Sequence, residues 1–321
     1  MLICQSPLRV SLLGGGSDLP SFLEHNEGAV LSFAINRRVF IIGHQFTHRT
    51  GILLRYSQTE DVTHPPLLKH PIARVVLQRY GINDIDLVVM SDVPAGTGLG
   101  SSSSFTVALL GFVRHMCQVP TTAEDLAREA CEIEIDTLKE PIGYQDQWAS
   151  AIGGLNILRF SGREVSVESM SLELADKNRL ESNLHLVPAG KPRSASELLA
   201  KQSEATRPGQ QAEKLTQNLV SLVSQGQRAL QSNLDDLGPL LNEAWMLKRQ
   251  ITSGVSNELI DGIYEQGLSA GATGGKLLGA GGSGYIAFYV PEISRHEFNQ
   301  AFPQQLDFSI SEEGAGVIHE S

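Results

Sequence analysis

Cysteine is scarce in this chain. Cys4, Cys117 and Cys131 are odd in number and far apart, so they build neither a disulfide framework nor a paired metal-ligand motif. They read as buried or inert thiols in a reducing compartment. Positive charge is scarce as well: 25 Lys and Arg against 36 Asp and Glu give a formal net charge of −11. Without a basic face the chain is no general binder of nucleic acid or of anionic membrane, and any phosphate must be gripped locally. No apolar run approaches the length of a membrane span, and the first residues, Met1 to Pro7, lack a charged n-region and a continuous h-region. The expectation is a cytoplasmic protein with no nucleic-acid or membrane partner. Internal repeats are absent too.

Two common nucleotide fingerprints are also missing. Around Lys276 the first glycine of a P-loop would fall at Ala270, and Leu277 stands where Ser or Thr is required. Gly279, Gly281 and Gly284 match G-x-G-x-x-G, but the apolar run Tyr285 to Val290 that follows reads as a strand, whereas the dinucleotide fingerprint needs a helix there. The glycines then serve as a tight loop lining a ligand or as a sharp turn before a strand.

What is present is a chain of 321 residues, 41% hydrophobic, enough for two domains or one large one. The N-terminal part alternates short β-like runs (Ala29 to Ile35, Val39 to Gly43, Asp86 to Met90, Leu155 to Phe160) with helical ones (Pro71 to Tyr80, and Thr122 to Leu138 with Thr122 as N-cap). From Asn183 a single strand gives way to Gln-, Leu-, Glu- and Ala-rich helical spacing through Tyr264. A short helix near 294–301 and an extended tail close the chain. The texture changes between about 170 and 185, which suggests domains at 1–175 and 176–321 of an α+β protein.

The most informative segment joins a glycine-rich turn to a hydroxyl cluster at the start of an apolar helix. Pro94, Gly96, Gly98, Leu99, Gly100, Ser101, Ser102 and Ser103 lie between a strand ending near Met90 and the run Phe105 to Val113. Glycines permit positive φ and close approach to a ligand, and a helix N-terminus favours an anion, so this order is suited to cradling polyphosphate. The alternatives are a flexible linker and plain serine caps; apolar segments on both sides argue against the linker.

Three further segments carry a family resemblance: Pro7-Leu8-Arg9 with Gly14-Gly15-Gly16-Ser17-Asp18, Glu132-Ile133-Glu134, and Pro141-Ile142-Gly143-Tyr144-Gln145-Asp146-Gln147. Together with the 94–102 loop and Gly279 to Gly284, they resemble the GHMP small-molecule kinases over most of the chain and in the family's order. The branch most similar is that of bacterial D-glycero-D-manno-heptose 7-phosphate kinases, and Arg193-Ser194-Ala195-Ser196-Glu197 adds to that likeness. Galactokinases would show Gly-Glu-His-x-Asp-Tyr where this chain has Gly-Gly-Gly-Ser-Asp-Leu.

The resemblance implies a two-lobed α+β GHMP kinase fold. Its N-terminal lobe would be like ribosomal protein S5 domain 2, its C-terminal lobe ferredoxin-like, and the site would lie between them. It implies ATP and Mg2+ as cofactors, a sugar phosphate as substrate, phosphorylation of the anomeric hydroxyl for surface-polysaccharide heptose supply, and leaves a homodimer open. Asp146 would orient and deprotonate the attacking hydroxyl, and Arg9 would offset charge on the transferred phosphoryl group. Ser102 and Glu134 would hold magnesium, with Glu132 on another face. Gly15, Gly16, Ser17, Asp18, Gln147, Gly281 and Gly282 would meet the sugar. Lys191, Arg193 and Ser194, at the start of a helix near Ser196, would grip a distal phosphate, unless they are an ordinary N-cap with basic neighbours. For single residues blander readings stand beside these, a surface cation for Arg9 and a turn for Asp18. For the whole chain the alternatives are another anomeric sugar kinase, of the L-fucose type, or a catalytically silent nucleotide- or sugar-binding regulator.

Overall fold

The structure is a computed structural model that describes residues 1–191 and 196–321. Its first sheet contains β1 (Leu2–Leu13), β2 (Glu27–Gln45), β3 (Ile52–Arg55), β4 (Thr59–Val62), β5 (Ile85–Ser91), β6 (Leu155–Ser161) and β7 (Glu164–Met170). β2 is the spine. The two runs expected as separate strands are halves of this one long strand, which is antiparallel to β1 along most of its length. Its first half pairs with β6 and its second with β5. The polar residues between the halves, Asn36 to Arg38, stay in the strand because β1 continues opposite them, with a register shift at Pro7/Leu8.

Helices α1 (Pro20–Leu23), α2 (Pro71–Arg79), α3 (Ser101–Met116), α4 (Ala123–Cys131) and α5 (Gln145–Ile152) complete the first half. α3 is buried at every position from Ser103 to Val113, its apolar side chains in the core and Ser103, Ser104 and Thr106 satisfied by buried hydrogen bonds, and it packs against β1, β2, α4 and α5. Thr122 caps α4 in a reciprocal capping box with Asp125. The continuous helix expected through Leu138 instead changes to a π-helical turn over Glu132–Thr137, which sets Glu134 inward while Glu132 pairs with Arg79 at the surface.

After α6 (Leu174–Asn183) comes β8 (Leu184–Ala189), then α7 (Ser196–Ala205), α8 (Gln211–Ser232), α9 (Leu237–Lys248) and α10 (Glu258–Ser269). β9 (Gly274–Leu277), β10 (Gly284–Tyr289) and α11 (Arg295–Ala301) follow. The second sheet is antiparallel in the order β8-β10-β9. An aromatic cluster fills its core, with Phe288 5.4 Å from Phe298 and 5.7 Å from Tyr264 between ring centroids. The expected extended tail forms β11 (Gly316–Glu320), which returns to the first sheet and pairs with β1, so the sheets do not divide the chain at a single point. Cys4 and Cys131 are buried with thiols pushed up by desolvation, whereas Cys117 is exposed.

α8 ties the two halves together. Its apolar stripe, Leu219, Leu222, Val223, Gly226, Ala229 and Leu230, lies over β1 and β2. A Cβ on Gly226 would stand 2.4 Å from Leu13 Cδ1 and 2.9 Å from Leu31 Cδ2. Gly226→Ala therefore overpacks this contact despite alanine's better helix propensity, and a destabilisation of about 1–3 kcal/mol is expected in chemical denaturation. An unchanged or higher stability would show that the α8 contact is loosely packed.

Candidate active site

The glycine loop follows β5 and ends at Gly100, the N-cap of α3. Gly96, Gly98 and Gly100 have φ of +77°, +79° and +77°, a conformation that L side chains rarely adopt. Because Gly100 has no side chain to cap the helix, the first-turn N–H groups and the dipole are left for an anion. β1 pins the loop from beneath. Arg9 N donates to Leu99 O at 3.0 Å, Arg9 Nη1 to Gly98 O at 2.6 Å, and Ser104 Oγ to Gly100 O at 3.0 Å.

Arg9 also holds Asp146. Its Nε donates to Asp146 Oδ1 and its Nη2 to Oδ2, both at 2.8 Å, a two-pronged pair in which the arginine side chain is 3% exposed and the aspartate 25%. Asp146 stands in the first turn of α5, and a Cβ on Gly100 would lie 3.3 Å from its Oδ2. The carboxylate is thus pressed against the N-terminus of α3.

Arg9 and Asp146 lie in a cavity of about 440 Å³ lined by residues from both halves of the chain. Gly96, Gly98, Gly100, Ser101, Ser102 and Ser103 line it, as do Gly15, Gly16, Asp18 and Glu134. Asp18 accepts from Gly16 N, Gln145 N and Gln145 Nε2 at 3.0–3.1 Å. Its carboxyl is raised by burial, with the charge of Asp146 adding to that and the backbone donors opposing it. Its turn role and its place in the cavity coexist.

Glu134 is 1% exposed and has no cationic partner among the described residues. It accepts from Ser103 Oγ and Thr106 Oγ1 at 2.8 Å and from Gln147 Nε2 at 2.5 Å. Burial pushes its carboxyl up to about 7 against the pull of those donors. A buried carboxylate facing the helix N-terminus, beside serine hydroxyls, fits a hard cation held mostly by phosphate and water. No cluster of three acidic, histidine or cysteine ligands exists among the described residues, so any such cation needs the phosphates.

Several expected contacts fall elsewhere. Gln147 is fully buried behind Glu134 and supports that carboxylate; it does not meet the cavity. Ser17 is fully buried, its hydroxyl exchanging hydrogen bonds with the backbone of Ala29. Pro94 is exposed, with its carbonyl taken by Thr97 Oγ1, and Leu99 is a core side chain. Gly281 and Gly282 turn against Val255, leaving Gly279 and Ala280 to line the cavity. Lys191 is exposed and away from it, and Arg193 and Ser194 lie outside the described residues. Ser196 does line the cavity, donating to Glu140 at 3.1 Å. Gly98 is doubly constrained: a Cβ there would meet Leu278 O at 2.6 Å as well as the φ penalty.

Two lysines escaped the sequence reading, Lys248 and Lys276, both buried and both lining the cavity. Lys276 follows Gly274-Gly275, the one local hint of a close backbone approach; Lys248 sits in an unremarkable amphipathic helix.

The matched segments coincide with this geometry. The model of the GHMP kinases N terminal domain matches residues 67–154 and that of the GHMP kinases C terminal domain residues 227–302. The chain belongs to the GHMP kinase family. It is 25% identical, over 97% of its own length and 96% of the relative's, to a D-glycero-alpha-D-manno-heptose 7-phosphate kinase of Campylobacter jejuni. It is 26% identical to a bifunctional fucokinase/GDP-fucose pyrophosphorylase of Arabidopsis thaliana, over 95% of this chain and 31% of that protein. Among solved structures, a D-glycero-D-manno-heptose 1-phosphate kinase from Bacteriodes thetaiotaomicron superposes with a TM-score of 0.82 over 100% of both chains at 21% identity. The galactokinase of Lactococcus lactis gives 0.74, covering 99% of this chain and 94% of its own at 19% identity. The α+β kinase fold expected from the sequence is therefore the fold found. No helix among the described residues is long and apolar enough to cross a membrane.

The Glu134 carboxyl makes this kinase's stability depend on pH. With a native pKa near 7 against an ordinary 4.5, the folded state keeps a proton that the unfolded chain sheds. Its contribution is complete below about pH 4.5 and is lost as pH rises to about 7, up to about 3 kcal/mol. In metal-free protein Glu134→Gln should gain stability relative to the parent as pH goes from 5 to 8, read as the difference in Tm. A difference that does not vary with pH would contradict the assignment.

Proposed function

We propose that this kinase transfers the terminal phosphoryl group of ATP to the anomeric hydroxyl of D-glycero-D-manno-heptose 7-phosphate, giving the 1,7-bisphosphate. The observation that carries the reading is the Arg9–Asp146 pair held against the glycine loop and the open N-terminus of α3. The sugar rests on the name of the Campylobacter jejuni relative, matched across nearly the whole chain.

The glycine loop and the first turn of α3 bind the nucleotide's phosphates through backbone N–H groups. Asp146 accepts the hydrogen bond of the attacking hydroxyl and takes its proton as the new O–P bond forms and the bridging bond to ADP breaks. Because Arg9 grips both carboxylate oxygens, Asp146 is fixed in direction before the sugar arrives, and the guanidinium counters charge on the phosphoryl oxygens. Asp18 and the Gly15-Gly16 turn orient the sugar. Glu134, with the hydroxyls of Ser102 and Ser103, would hold Mg2+, which when bound supplies charge neutralisation on the phosphates.

Asp146→Asn keeps the shape and removes the base. Turnover should fall by about 10²–10⁴-fold with nucleotide affinity nearly unchanged. ADP release over a panel of sugars and sugar phosphates tests the substrate. Heptose 7-phosphate should lead; preference for free L-fucose would favour the fucokinase-like reading, and no release with any sugar would favour a silent regulator.

A further inference from the structure

Lys248 at the end of α9 and Lys276 in β9 are 7% and 4% exposed and line the cavity. An unpaired ammonium is costly to bury. The acceptors found for them among the described residues are backbone carbonyls, not carboxylates. Lys248 Nζ donates to Leu277 O at 3.2 Å and to Gly279 O, and Lys276 Nζ donates to Ser11 O at 3.0 Å. An ammonium has three protons to give, so both retain donor capacity beyond those bonds.

Arg9 on β1 is a third buried cation lining the cavity, and its positive charge acts on both lysines. Four acids line the same cavity: Asp18 accepts from the backbone and Gln145, Asp146 is paired with Arg9, Glu134 accepts from Ser103, Thr106 and Gln147, and Glu140 accepts from Ser196; of these, Asp18 acts on Lys248, and none pairs with either lysine. Desolvation first, then Arg9, pushes the Lys248 ammonium down to about 7, with Asp18 opposing; burial, Lys248 and Arg9 hold Lys276 well below the ordinary lysine range. The position is also telling. A Cβ on Gly279, whose carbonyl Lys248 holds, would lie 2.5 Å from Gly98 Cα, so the cations stand where the two glycine loops meet.

We propose that Lys248 and Lys276, with Arg9, bind phosphoryl oxygens from the C-terminal side of the cavity. A phosphate dianion supplies the paired counter-charge that the two lysines lack and accepts their remaining N–H groups in charge-assisted hydrogen bonds. The assignment rests on the phosphoryl-transfer reading above. Two sources share this chemistry: the terminal phosphoryl group of the nucleotide and the phosphate ester on the acceptor sugar.

Calorimetric titration of Lys248→Met and Lys276→Met distinguishes them, with thermal unfolding establishing that each is folded and Lys→Gln at the same position used where Met is not accepted. The ligands are ADP, a non-hydrolysable ATP analogue, heptose 7-phosphate and free heptose. Binding of the ATP analogue weakened at least tenfold with ADP little changed assigns the lysines to the transferred group. Heptose 7-phosphate weakened at least tenfold with free heptose little changed assigns them to the sugar's phosphate. Affinities within twofold of the parent for every ligand, or equal weakening of phosphorylated and unphosphorylated ligands, overturn the proposal. Should the parent phosphorylate no sugar, the function reading fails separately; the nucleotide arm then decides for the lysines by itself.

Discussion

The site depends on one buried guanidinium. Arg9 projects from the middle of β1, and its nitrogens reach two elements that are remote in sequence, the first turn of α5 through Asp146 and the glycine loop through Gly98 O. Its own backbone N–H holds Leu99 O as well. Truncating Asp146 outright would leave the Arg9 charge, 3% exposed, buried without its carboxylate, a cost of about 3–5 kcal/mol. The contact that orients the Asp146 carboxylate is therefore also the contact that fixes the loop, and the register of β1 in the sheet sets both.

Around that contact the two halves of the molecule meet through glycine. Gly98 and Gly279 approach within a Cβ's reach of each other's backbone, which no larger residue allows. Lys276 crosses the same junction to the carbonyl of Ser11. An acidic protein, −11 overall, thereby gathers buried cations at one internal point, where low dielectric makes each charge count for more than at the surface.

Much of this was legible in residue order alone. Glycines alternating at 96, 98 and 100 before serines and an apolar run define a loop entering a buried helix, because few other local structures satisfy those torsions and that burial together. The Gly-x-x-Asp-Gln segment and Arg9 come to one site only through the family's order, since they are far apart in the chain, and their ion pair was not legible in the sequence. What local pattern could not reveal was depth. Gln147 next to Asp146 looks equally available, yet one turn position puts it wholly behind Glu134. Ser17 beside Asp18 is likewise spent on the β2 backbone. Lys248 and Lys276 carry no motif that separates a buried cation from a surface one, and β11 rejoins the first sheet by a pairing made across the whole chain.

The most direct test of the account is the position of the new phosphate. Purified protein with ATP, Mg2+ and heptose 7-phosphate should yield a product whose 31P and 1H NMR spectra show a second phosphorus coupled to the anomeric proton, with the 7-phosphate intact. A second phosphate on any other carbon, or ATP consumed with no phosphorylated sugar formed, would contradict the assignment of the Arg9–Asp146 pair to the anomeric hydroxyl.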